Sequence, residues 1–205
     1  MMLFGDTYQT IGKPSDGIFR DRGSKFIAYA YPLHSENQIK NILHKIRSEH
    51  PKARHYCWAL RLSQDTSIFR VNDDGEPPGS AGKPILNCLL SSDLTNILVV
   101  VVRYFGGTLL GIPGLIHAYK SATLEALASS TIIQKTVNDI YQLEFDYLKM
   151  NTVMRIIKNE GVLINKQTLE ANCILELSIR KTQVNTIITQ FEKISHIKVT
   201  YLYTL

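Results

Sequence analysis

Residues 97–102 read ILVVVV, six apolar side chains in a row, and residue 103 is an arginine. The run is far below the roughly 18 residues that a membrane helix needs. It reads instead as a strand over residues 95–103 with apolar side chains on both of its faces, as in the centre of a sheet. A strand of that kind has to be covered on both sides, and 205 residues are enough for one good core or two small ones without help from metals or disulfides. The three cysteines, Cys57, Cys88 and Cys173, are odd in number and form no CxxC pair, so they read as buried reduced thiols. Asp6 interrupts the N-terminus too early for a signal peptide, and the expected location is cytoplasmic. The net charge of +5 permits contact with phosphates without demanding it.

Other elements assemble around this strand. Residues 25–31 form a strand after the turn-like Asp21-Arg-Gly-Ser24, and Ile39, Ile42, Leu43 and Ile46 carry the spacing of a helix, with Ser35 as its N-cap and Pro51 beyond its end. Residues 54–62 alternate, with Tyr56, Trp58, Leu60 and Leu62 on one face and His55, Cys57, Ala59 and Arg61 on the other. The segment NDDGEPPG at 72–79 is a loop, and Ser80 is placed to cap a helix running from about Gly82 to Ser91. Another helix spans about 112–129. After residue 130 the strands at 141–147, 162–165, 173–179 and 197–203, with helix stripes at Met150, Val153 and Ile157 and at Val184, Ile187 and Phe191, give the order βαββαβ of a ferredoxin-like sandwich. The expected domains are therefore 1–130 and 131–205.

The glycine pair Gly106-Gly107 at the end of the central strand, followed by a helix, is a place where backbone amides can hold an anion. Tight-turn chemistry explains the same pair. The spacing fits neither GxGxxG nor GxxxxGK[ST], which disfavours nucleotide hydrolysis. Asp73, Asp74 and Glu76 offer hard oxygen ligands but make a poor EF-hand, and acidic turn residues are usually solvated. His55 and Cys57 share a strand face without an orienting third group, so packing is the simpler reading. His117 and Lys120 lie on the helix after the glycines, within reach of a bound phosphate. No HExxH, paired-histidine set or GxSxG elbow occurs, and neither a catalytic residue, a metal site nor a cofactor is expected.

Taken together, ARHYC at 53–57, DDGEPPGSAGKPIL at 73–86, and VRYFGG at 102–107 with Leu110-Gly111 resemble the IMPACT/YigZ family in order and spacing. The resemblance implies an α+β protein of two domains. The first would have the ribosomal protein S5 domain 2-like fold, shared with domain IV of elongation factor G; the second would be ferredoxin-like, similar to domain V of that factor. It also implies one clustered surface built from Arg103, Gly106, Gly107, Gly111, Lys83, Lys120 and His55, together with the acidic loop. The chain departs from the family pattern at Pro78, where a small residue is usual, and at His117, where an arginine is usual.

Two functions from different classes follow. One is a non-enzymatic, translation-associated regulator that binds RNA, the ribosome or a protein partner of the translation machinery, with no membrane. The other is a small-molecule or phosphate-ester hydrolase using the same surface. Oligomeric state is not readable from the sequence.

Overall fold

The computed structural model describes residues 6–62 and 68–205. The chain divides into two compact units, residues 8–135 and residues 136–205 joined by Asp6 and Thr7. In chain order the elements are β1 (Thr7–Ile11), β2 (Ser15–Asp21), β3 (Ser24–Pro32), α1 (Asn37–Glu49), β4 (His55–Leu62), β5 (Ile68–Asn72), α2 (Gly82–Ser91), β6 (Ile97–Tyr104), α3 (Gly111–Ala128) and β7 (Ile132–Thr136). They continue with β8 (Asn138–Asp146), α4 (Met150–Glu160), β9 (Leu163–Leu169), β10 (Asn172–Arg180), α5 (Val184–Glu192) and β11 (Ile197–Thr204).

In the larger unit a five-stranded antiparallel sheet has the order β2-β3-β6-β4-β5, with β6 at its centre. The apolar run of β6 divides by parity, as the pleat requires. Ile97, Val99 and Val101 face the core closed by α2 and α3, while Leu98, Val100 and Val102 face the smaller core under α1. The two faces of β4 divide in the same way: Cys57 and Ala59 join the first core, and Tyr56, Leu60 and Leu62 the second. Arg61, on the α2–α3 face, is buried and donates from Nη1 to the carbonyls of Leu89 and Leu94, satisfying backbone at the end of α2. The shortest strands, β1, β2, β5 and β7, carry little apolar periodicity, and the sequence reading passed over them.

Two helix starts are decided by side chains. Ser35 Oγ accepts from the Asn37 amide at 3.2 Å while Gln38 Oε1 accepts from the Ser35 amide at 3.2 Å, a reciprocal capping arrangement for α1. The cap of α2 differs from the sequence expectation. Ser80 Oγ turns back to the Pro77 carbonyl at 2.7 Å, and the Asp73 carboxylate instead accepts from the amides of Gly79, Ala81 and Gly82 at 2.8–3.1 Å. A carboxylate suits this place better than a hydroxyl, because it takes several donors at once and its charge opposes the positive end of the helix dipole.

In the smaller unit β8, β9, β10 and β11 form an antiparallel sheet in the order β11-β8-β10-β9, with α4 and α5 packed on one face, the βαββαβ topology of a ferredoxin-like sandwich. Leu143, Phe145, Leu175 and Leu177 meet Val153, Ile157, Ile187 and Phe191 in its core, and Gly161 ends α4 in the left-handed conformation. Asp6 is bound to this unit: its carboxylate accepts from the Arg180 guanidinium through both oxygens and from the Thr182 hydroxyl. These bonds, the arginine's first, hold the Asp6 carboxyl at about 2, below its usual 3.8.

A depressed carboxyl adds stability that is fully present above its unfolded value and is lost as pH falls towards its folded one. The stability of the smaller unit is therefore expected to fall between about pH 4 and pH 2. Asp6→Asn should be less stable than wild type at pH 7 and should converge with it near pH 2, as read from urea midpoints at a series of pH values.

Candidate functional site

The site is built at the end of β6, where the first four residues of RYFGG each make a different tertiary connection. By parity, Arg103 continues the α2–α3 face and Tyr104 the α1 face. Arg103 is only 6% exposed, and its Nη1 donates to Glu76 Oε1 at 2.6 Å. The same carboxylate oxygen accepts from Tyr119 Oη of α3 at 2.8 Å, and the Tyr119 hydroxyl in turn accepts from the Cys57 thiol at 3.2 Å. Burial and the Glu76 bond push the Tyr119 hydroxyl well above its ordinary range, and burial does the same to the Cys57 thiol, so both stay protonated. Such a thiol is a packing group and a poor nucleophile.

On the other face Tyr104 Oη bonds His50 Nδ1 at 2.8 Å, and Tyr29 Oη bonds His50 Nε2 at 2.7 Å, tying the end of α1 to the sheet. Phe105 lies beyond, 55% exposed, with the Arg103 guanidinium 5.6 Å from its ring centre. Gly106 is where two backbones meet. A Cβ there would sit 1.9 Å from the Gly23 carbonyl carbon, and the Gly106 amide donates to Ser24 Oγ at 3.1 Å. Only glycine fits. Gly107 and Gly111 both have positive φ, +89° and +69°, and both are exposed.

The acidic loop is held as tightly. Besides Asp73 on the start of α2 and Glu76 on Arg103, Asp74 Oδ2 accepts from the Tyr56 amide at 2.7 Å, and its Oδ1 lies 3.5 Å from Arg47 Nη2. His55 Nδ1 donates to the Asp74 carbonyl at 2.9 Å, which fixes the ring beside the loop. The loop is thus a latch. It joins β4, α1, α2 and α3 through carboxylates that each accept from the chain itself.

Of the residues expected at the site, Arg103, His55, Asp73, Asp74 and Glu76 converge on this latch, and Gly106 on the β2–β3 turn. Lys83 and Lys120 converge elsewhere. They line a cleft of about 560 Å³ between α2 and α3, together with Asn87, Ser91 and Ile116. Asn87 and Ser91 repeat at i+4 and i+8 from Lys83 along α2, and Lys120 follows Ile116 at i+4 along α3, so each helix offers one face to the cleft. Sequence reading missed Asn87 and Ser91, whose helical spacing from Lys83 was the available signal. It also missed Tyr119 as the hub of the buried network, for which the apolar stripe of α3 gave no sign. His117 lies against Phe19, edge to face at 5.5 Å between ring centres.

Residues 22–127 match the Impact N-terminal domain. The chain belongs to the IMPACT family. An IMPACT family member from Haemophilus influenzae is 37% identical over 163 residues, covering 78% of this chain and 79% of that protein. The family member YigZ of Escherichia coli is 37% identical over 145 residues, covering 69% and 71%. A solved structure described as a hypothetical protein superposes with a TM-score of 0.74 at 28% identity, covering 96% of this chain and 98% of that one. Both halves of the α+β, two-domain fold are therefore shared with a protein of known structure.

Removing one partner of a buried ion pair leaves the other charge uncompensated, a loss of about 3–5 kcal/mol. Arg103→Ala is accordingly expected to lower unfolding free energy by about 3 kcal/mol in urea titrations, strongly destabilising the larger unit. Gly106→Ala should cost about 1–3 kcal/mol through the backbone clash, with the loss again read from urea midpoints.

Proposed function

We propose that this IMPACT family chain is a non-enzymatic, translation-associated regulator that binds RNA or the ribosome through the basic cleft between α2 and α3. The observation that carries the reading is where the polar groups of the family signature are used. Arg103, Glu76, Tyr119, Asp73 and Asp74 bond to one another and to backbone, while Lys83 and Lys120 are exposed on the walls of the cleft. Groups saturated within the protein hold a shape; exposed lysines with a nearby amide and hydroxyl suit phosphate oxygens. The family resemblance, which implies a likeness to modules of elongation factor G, points to the translational setting.

Hydrolysis has less to recommend it. The Cys57 thiol is buried and kept protonated, and the loop carboxylates are already accepting hydrogen bonds from amides, Arg103 and Tyr119. A general base needs a free lone pair facing its substrate.

The test is co-sedimentation with ribosomes and with total RNA across a salt series. Wild-type retention is expected to fall steeply as salt rises, because bound phosphates release counterions. Lys83→Glu/Lys120→Glu should weaken binding and reduce the salt slope by about 2, one for each lost phosphate contact, while the urea midpoint stays near wild type. Absence of retention at low salt would overturn the reading.

A further inference from the structure

The lysines of the α2–α3 cleft suffice for phosphate contacts, which leaves its remaining polar groups for a second task. Lys83, Asn87 and Ser91 follow one another at successive turns of α2, roughly 6 Å apart. The Cys88 thiol donates to the Lys120 carbonyl at 3.8 Å, so Lys120 stands across the cleft on α3, level with the middle of α2. Asn87 therefore lies along the cleft between the two cations. Pro84, Cys88 and Ile116 complete the lining, and among the described residues no carboxylate joins them. Cys88 is 2% exposed and burial pushes its thiol up, so it acts as a neutral, apolar floor.

Asn87 is exposed, and among the described residues its side-chain amide has no partner within the protein. An unbonded amide presents a donor and an acceptor side by side and can turn either way. Ser91 differs: its hydroxyl donates to the Cys88 carbonyl at 3.1 Å, which leaves its oxygen as an acceptor. Two acceptors beside a donor, set over apolar surface, are more than a phosphodiester uses, because its oxygens only accept. The complementary group has an exocyclic amine next to a ring-nitrogen acceptor, on a flat apolar body. Adenine carries that edge at N6 and N7, and the paired donor and acceptor of asparagine match it bidentately. Its two rings also cover more of Pro84 and Ile116 than those of cytosine, which shares the amine. Uracil offers carbonyl oxygens instead, and one of them would meet the Ser91 lone pairs. The cleft volume of about 560 Å³ lies within the range of about 300–1,000 Å³ in which small-molecule sites fall.

We propose that the α2–α3 cleft holds one unstacked adenine of a single-stranded RNA, with its N6 and N7 edge on the Asn87 amide, its amine shared with Ser91, and the flanking phosphates on Lys83 and Lys120. The proposal rests on the RNA-binding reading above and makes Asn87 the residue that sets base preference within that same site.

The test is fluorescence anisotropy with two fluorescein-labelled RNA strands of about 10 nucleotides, one all uridine and one with a single central adenosine. Wild type is expected to bind the adenosine-containing strand about tenfold tighter, as one bidentate pair allows. Asn87→Ala places a better helix former at an exposed helical position, so the fold should hold. It should bind both strands equally, with its affinity for the all-uridine strand and its salt dependence unchanged, a split that a merely structural role would not produce. Equal binding of both strands by wild type, or a preference that survives Asn87→Ala, would overturn the base site and leave the phosphate cleft standing. Ribosome retention by a wild type that binds neither strand would also overturn it, whereas failure of both assays would remove the broader reading as well.

Discussion

The larger unit depends on one buried ion pair. Arg103 and Glu76 sit at 6% and 8% exposure with 2.6 Å between Nη1 and Oε1, and Tyr119 completes the acceptor's coordination. Dehydrating two charges costs several kcal/mol each, so such a pair adds little net stability over apolar packing. Its effect is on uniqueness. Any other placement of the loop at residues 72–79 would strand a guanidinium inside the α2–α3 layer. The loop therefore has one position, and that position delivers Asp73 to the first turn of α2 and Asp74 to the backbone of β4.

From that latch the exposed features follow. With α2 and α3 fixed, their outer faces leave a cleft that brings Lys83 and Lys120 to one site across 37 residues of sequence. With a glycine two residues past the end of β6, the β2–β3 turn can approach to backbone contact, and Phe105 is left outward over Arg103. The buried polar network and the solvent-facing cations are thus different residue sets with different tasks. The first set specifies shape and the second presents charge. A family signature that mixes both types reads in one dimension as a single site, although its members face in different directions.

Much of the architecture was legible beforehand. The two-sided apolar run of β6, the parity of β4 and the stripes of α1, α4 and α5 come from periodicities of 2 and 3.6 that need no tertiary information. The ferredoxin-like order of the smaller unit followed from them. Ser80 misled as a cap because local rules rank a serine next to a helix above an aspartate several residues away, and only folding brings Asp73 there. Arg103 misled for a similar reason: arginine is usually exposed, and its buried partner lies 27 residues earlier.

What the sequence determined by itself, then, was the set of elements, their apolar faces and the residues worth attention, because those properties depend on side-chain type and local spacing. Tertiary structure decided which polar groups face each other and which face solvent. Arg103 and Lys83 are both cations of one signature. One is enclosed by Glu76, Phe26 and Phe105, and the other lies open on a cleft wall. Desolvation makes a charge seek whatever partner the fold brings within reach, and that reach is set by the packing of strands and helices far apart in the chain.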